Sequence, residues 1–262
     1  MKSKIFPNFW QGLIIVLILD AVLALFYWGS FTVFNFFYLL KDYFYAELTF
    51  AVSSLLLIPF IVFIKNKGDT GLLGQIHRPS FRGIVFVFFI AFAVEMITHP
   101  TFTNPSKMVE LIGNDKLGIL NFETPKFDKV VLMQFIHLVL LAPVFEELLF
   151  RGLILNQFFK KYRPVTAIVL SSILFAICHI SMERIIALFI SGIVFGAVYY
   201  FTRSLTLPIL LHSFGNMLGR FLRIKEVELS FYVAVEYFAI IITGAVIVMI
   251  ILRRMKRTGE KL

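Results

Sequence analysis

The sequence predicts an all-α polytopic membrane protein with about eight transmembrane helices in a single membrane domain, residues 1–262. Three observations predict it. Hydrophobic residues make up 59% of the chain and charged residues only 16%, against about 45–50% and 25% in soluble domains. The apolar runs reach the roughly 20 residues that cross a bilayer. The lysines and arginines gather at the ends of those runs, as in "KNK", "KKYR" and "RRMKR", which is where a membrane protein places them.

On the 20-residue ruler the spans fall near 10–34, 45–64, 83–98, 129–158, 164–180, 184–202, 206–222 and 231–252. The N-terminal spans within 1–128 carry no motif, 129–222 carries all the motifs, and 231–252 is the last span. The start resembles a signal peptide, but its apolar stretch is too long, Asp20 interrupts it and no small-residue cleavage site follows. It is read as a first span that stays. The polar stretch 99–128 contains prolines, Asn and Asp and reads as a loop. Within it "KMVELIGNDKLGIL" could form a short interfacial helix.

Counting Lys and Arg places both termini in the cytoplasm, with "GRFLRIKEVELS" as one discordant outer loop. The shortness of the chain and the lack of a targeting extension point to a bacterial plasma membrane. The net charge of +9 then reports orientation rather than nucleic-acid binding. No phosphate-binding glycine loop or basic–aromatic interleaving is present. The single cysteine, Cys178, allows neither an intrachain disulfide nor a Cys-rich metal site.

Three polar groups interrupt the apolar spans. In "LAPVFEELLFRGLIL" stand Glu146, Glu147 and Arg151. A charge at membrane depth costs about 2.5–3.5 kcal/mol on insertion scales, so something must offset it. Glu147 and Arg151 are four residues apart on one helix face and can pair. Glu146 lies about 100° around the helix and is left outside that pair. In "SSILFAICHIS", Phe175 and His179 share a face. In "ILLHSFGNML", His212 and Asn216 do.

Glu146 and His179 flank the turn "KKYRP" at similar distances and should be level in a helical hairpin. An equal-height bundle leaves His212 roughly 10 Å nearer the cytoplasm. Convergence therefore needs a projecting 158–163 turn, tilted helices, or a bend at Pro143 or Gly152 in the overlong 129–158 span. If the groups converge, a buried carboxylate can act as a general base toward water. Two imidazoles and an amide can then orient the water and stabilise an oxyanion. Two His and a Glu could equally hold zinc with an open water position.

These groups, in this order, resemble the CAAX-protease and bacteriocin-processing family of membrane endopeptidases, whose pattern is E-E-x-x-x-R, F-x-x-x-H, then H-x-x-x-N. Here it reads "EELLFR", "FAICH" and "HSFGN" over residues 146–216. The resemblance implies an intramembrane endopeptidase acting on a membrane-associated, in some relatives lipidated, peptide or protein. It implies Glu146 as the base that activates water with His179, and His212 with Asn216 as the oxyanion site or part of a metal site. Glu147 and Arg151 would hold Glu146 in place, with Phe175 supporting. A divalent metal, zinc, held by Glu146, His179 and His212 remains the alternative to a metal-free glutamate mechanism. The H-E-x-x-H zinc helix is absent.

Plainer readings exist for each residue. Glu147 with Arg151 can be an ion pair that only locks packing, a histidine or Asn216 can be an interhelical hydrogen bonder, and Phe175 one more packed ring. Cys178 and Ser213 lack the surroundings of nucleophiles. Asp20, Glu95 and Glu236 also stand in apolar runs, and His77, His99 and His137 match no motif. Two rival functions follow: a proton- or ion-coupled transporter, and a non-catalytic binding or immunity factor.

Overall fold

The computed structural model describes residues 9–14, 75–98, 116–122, 132, 135–179, 181–228 and 231–258. The spans expected near 10–34 and 45–64 lie almost wholly outside these residues, as do His99 and Asp20. The described part is a helical bundle: α1 (Phe81–Ile97), α2 (Ala142–Glu147), α3 (Asn156–Phe158), α4 (Pro164–Cys178), α5 (Ile185–Thr202), α6 (Thr206–Phe221) and α7 (Phe231–Thr258). A π-helical turn, His137–Leu141, leads into α2, and a π-helical stretch, Leu148–Leu155, leads out of it.

Ile185–Thr202 and Phe238–Lys256 are long and apolar enough to cross a membrane, and Pro164–Cys178 is a shorter apolar helix. The chain is a helical membrane protein. Its outer faces fit that setting, with Phe89, Phe238, Ile242 and Ile250 exposed on α1 and α7. In lipid such faces need no cover, whereas backbone polar groups do, and helices satisfy them internally.

The all-α expectation needs one addition. Lys116–Phe122 (β1) and Leu222–Glu228 (β2) form a two-stranded antiparallel ribbon, with Leu117 opposite Val227 and Leu120 opposite Ile224. The tail of the stretch read as an interfacial helix is thus a strand. Gly118 weakens a helix there, and "LRIKEVE" alternates apolar and polar residues with strand period over its first four. The ribbon joins the two segments that the charge count placed in outer loops. It continues directly from the end of α6.

At the opposite end, residues 75–80 lie under the α5–α6 turn. The Tyr199 hydroxyl donates to Gln75 Oε1 (2.6 Å), the Leu205 amide to the Gln75 carbonyl (3.0 Å) and the Thr206 hydroxyl to the His77 carbonyl (2.8 Å). Ser80 caps α1 by accepting the Gly83 amide at 3.0 Å. Arg203 closes α5 in the left-handed region, φ 52°, with its guanidinium over the rings of Phe159 and Tyr200. The core between the ends is apolar and tight, with Phe150, Ile154, Leu174, Val198 and Leu211 fully buried.

Candidate active site

The two turns that set helix heights differ in level. Val165, after the 158–163 turn, is 74% exposed, while Leu205 in the α5–α6 turn is 0% exposed. His212 is level with Glu146 despite the roughly 10 Å mismatch expected of an equal-height bundle, its Nε2 lying 3.9 Å from Glu146 Oε2.

Glu146 and Glu147 stand at the end of α2, between the two π-helical segments. Single π turns recur where a helix must re-aim side chains at a functional site. Glu147 is fully buried, and its Oε1 accepts from Arg151 Nη1 at 3.0 Å and from His212 Nδ1 at 2.9 Å. Arg151 Nη2 donates to the Gly192 carbonyl on α5 at 3.1 Å. Its guanidinium carbon lies 4.7 Å from the centroid of Phe175 and 5.2 Å from that of Phe195. A hydrogen-bonded ion pair, one further hydrogen bond and two aromatic faces thus compensate the Arg151 charge, which apolar surroundings alone would reject.

Phe175 joins the groups. Its ring packs against Phe150, His179, Phe195 and His212. The reading of Phe175 as one more packed ring is therefore too narrow, because it backs both imidazoles and the guanidinium at once.

The histidines are oriented in the same sense. His179 caps α4, and its Nδ1 donates to the Phe175 carbonyl at 2.8 Å. His212 Nδ1 donates to Glu147. Both partners accept, so each Nδ1 carries a hydrogen and each Nε2 is the ring nitrogen left for the site. Those Nε2 atoms face Glu146 Oε2 at 3.4 Å for His179 and 3.9 Å for His212. Glu146 Oε2 is buried and has no aligned hydrogen-bond partner among the described residues. One carboxylate oxygen and two imidazole nitrogens therefore converge on one small volume.

Asn216, one turn beyond His212, donates from Nδ2 to the Leu138 carbonyl at 2.8 Å. Its amide ties α6 to the first π turn, and one N–H and the carbonyl oxygen stay uncommitted in that bond. The converging acceptors have the chemistry of zinc ligands, but not the placement. Ligands about 2.0–2.1 Å from one tetrahedral ion lie roughly 3.3–3.5 Å apart, and the His212 separation is wider. No three His, Cys, Asp or Glu side chains among the described residues are arranged as a metal-ligand set.

A model of the Rce1-like family, type II CAAX prenyl endopeptidase Rce1-like, matches residues 128–218. That range holds every residue of the site. The motif-bearing segment is thus similar to that family over about a third of the chain. The chain is also 25% identical over 190 residues to the membrane-embedded CAAX protease MroQ of Staphylococcus aureus, covering 65% of this chain and 73% of that one. It is 31% identical over 94 residues to an uncharacterized 24.3 kDa protein of Escherichia coli, covering 34% of this chain and 43% of that one. No solved structure matches.

Within the matched segment, the hydrogen bond from His212 to Glu147 was not visible as sequence spacing. The two residues are 65 positions apart, and the motif suggested only the local pair with Arg151. Gly192 and Phe195 were missed for the same reason, since a glycine and a phenylalanine in an apolar helix carry no polar signal. His137 matches no motif, yet its imidazole and the Glu146 carboxylate act on each other electrostatically.

Proposed function

We propose that the protein is an intramembrane endopeptidase that cuts a membrane-associated peptide or protein substrate with water activated by Glu146. The observation that carries this reading is the convergence of the Nε2 atoms of His179 and His212 on Glu146 Oε2. A water placed there can give one proton to the carboxylate and keep its other O–H as a hydrogen bond to an imidazole Nε2. Its oxygen then attacks the scissile carbonyl. The hydrogen taken by Glu146 passes to the leaving amine, so the carboxylate serves as base and then as acid.

Negative charge develops on the carbonyl oxygen during the attack. The second N–H of Asn216 is the donor assigned to that role. Glu147 and Arg151 act through position: they hold the His212 tautomer and the direction of α2. The donor atoms as placed do not close on a metal ion, so no step is routed through one. The name of the staphylococcal relative and the family description support a peptide-cleaving role. The setting is a bacterial plasma membrane with both termini in the cytoplasm. The ribbon fits this reading in that it joins two segments expected on one side of the membrane.

The test is cleavage of a lipid-anchored, quenched fluorogenic peptide by the purified protein in liposomes, with and without a chelator. Cleavage that disappears in E146Q and persists with chelator is the expected result. Ion flux that E146Q blocks, without any cut peptide, would replace this reading with a transporter. A cellular phenotype unchanged by E146Q would replace it with a binding factor.

A further inference from the structure

Glu95 is a carboxylate in an apolar helix that the catalytic machinery does not use. It lies near the end of α1, which packs along α6. Its two carboxylate oxygens sit over a glycine strip of α6. A Cβ built on Gly215 would lie 3.8 Å from Oε1, and one built on Gly219 would lie 3.9 Å from Oε2 and 4.0 Å from Oε1. Among the described residues Glu95 has no hydrogen-bond or ion-pair partner. The charge of Arg184 at the start of α5 acts on it only electrostatically. Gly215 is partly exposed and Gly219 exposed, so the strip is open.

The strip belongs to the catalytic face of α6. At about 100° per residue, Gly219 points within about 20° of the direction of His212, and Gly215 within about 60°. The two glycines stand about 4.5 and 10.5 Å further along the axis than His212, toward the end that holds His179 and Asn216. Side chains at 215 and 219 would fill the space under Glu95, and glycine leaves it free. An extended peptide advances about 3.3–3.6 Å per residue, so this length corresponds to roughly two or three substrate residues.

We infer that Glu95 is a specificity residue that binds a basic side chain, lysine or arginine, two or three residues from the bond that Glu146 attacks. This rests on the endopeptidase reading. The cation would fit the open glycine strip and meet a carboxylate with no other close partner among the described residues, in surroundings where an ion pair is weakly screened. The nearby Arg184 disfavours a second substrate cation further out and helps to fix the register.

The experiment has a cleavage arm and a binding arm. In the first, a lysine is walked through the four residues on each side of the bond of the lipid-anchored peptide, with norleucine as the uncharged match. Wild type should prefer lysine at one position by about tenfold in kcat/KM. E95Q should shrink that ratio to about twofold or less, and E95K should invert it in favour of glutamate. In the second arm, labelled lysine and norleucine peptides are titrated against the E146Q protein, with and without E95Q, in lipid nanodiscs. Here too lysine should bind more tightly only while Glu95 is present.

Glu146-dependent cleavage with no lysine preference, or a preference that E95Q leaves intact, overturns the inference and leaves the endopeptidase reading standing. Absence of cleavage with Glu95-dependent lysine binding overturns the endopeptidase reading, and of the inference only the capture of a basic side chain by Glu95 then stands. Absence of both overturns both.

Discussion

His212 donates its Nδ1 proton to Glu147 across 2.9 Å, and the same carboxylate oxygen receives Arg151. One buried oxygen thereby fixes the helix that carries Glu146 and the imidazole that faces it. Removing it should be costly in two separable ways. E147A leaves Arg151 buried without its counter-charge, and about 3–5 kcal/mol of stability should be lost. The paired replacement E147L/R151M removes both charges and should recover much of that loss, because apolar residues often replace a buried ion pair without penalty. Activity should stay low in the pair, since the His212 ring no longer has the acceptor that holds its tautomer. Thermal unfolding and peptide cleavage of the three proteins check this. Recovered activity in E147L/R151M would reduce Glu147 to a packing role.

Glu146 should behave differently. E146Q keeps the shape of the side chain and removes its ability to take a proton. Cleavage should fall by about 10²–10⁴-fold, the range of a lost general base. Stability should change little, because no buried counter-charge depends on Glu146 as Arg151 depends on Glu147. H179A should reduce cleavage to a similar degree, since its Nε2 is the nearer imidazole nitrogen, 3.4 Å from Glu146. Chelator should leave the wild-type rate unchanged. A rate lost to chelator and restored by zinc would move the ligand role back to Glu146, His179 and His212.

Much of this site was legible because polar residues are rare in apolar helices and stand out there. Glu146, Glu147, Arg151, His179, His212 and Asn216 all announced themselves, and helical spacing paired Glu147 with Arg151 correctly. Spacing could not set relative heights, because these depend on how far each turn projects. Val165, just after one short turn, is exposed, while Leu205, within the other, is buried. Nor could spacing assign the long-range partners of Glu147 and Arg151, which are decided by how α5 and α6 pack. The ribbon was hidden for a related reason: β1 and β2 are far apart in sequence, and each alone reads as a loop with a few apolar residues. The expected spans near 10–34 and 45–64 lie almost wholly outside the described residues.

Asn216 is expected to carry both a structural and a chemical part. Its bond to the Leu138 carbonyl is interhelical and should contribute about 0.6–1.7 kcal/mol, the range for such bonds in membranes. If its second N–H stabilises the oxyanion, N216A should lower kcat by about 10²–10³-fold, far more than that modest destabilisation explains. KM should change little, because charge on the carbonyl oxygen grows only in the transition state. Steady-state kinetics alongside unfolding measurements separate the two parts. A fall in kcat of only a few fold, with the expected loss of stability, would confine Asn216 to holding α6 against the first π turn.

Gly192 connects helix packing to the charge network. A Cβ built there would lie 3.0 Å from Ser172 Cβ and 3.1 Å from Ser172 Cα. The second of these is backbone of α4, and Ser172 itself is tied to the Ile168 carbonyl at 2.7 Å, so neither atom can swing aside. The G192A variant must therefore part α4 from α5 by a few tenths of an ångström. Overpacking of this kind costs about 1–3 kcal/mol. The Gly192 carbonyl would move with α5, away from the Arg151 Nη2 that it accepts at 3.1 Å. Arg151 would then lean more on Glu147 and disturb the His212 bond. Cleavage should thus fall more steeply than stability, although residue 192 lies outside the Glu146, His179 and His212 cluster. Comparison with a core variant of equal destabilisation, such as I154V, decides the point. Equal losses of activity in the two would mean that Gly192 serves close packing alone.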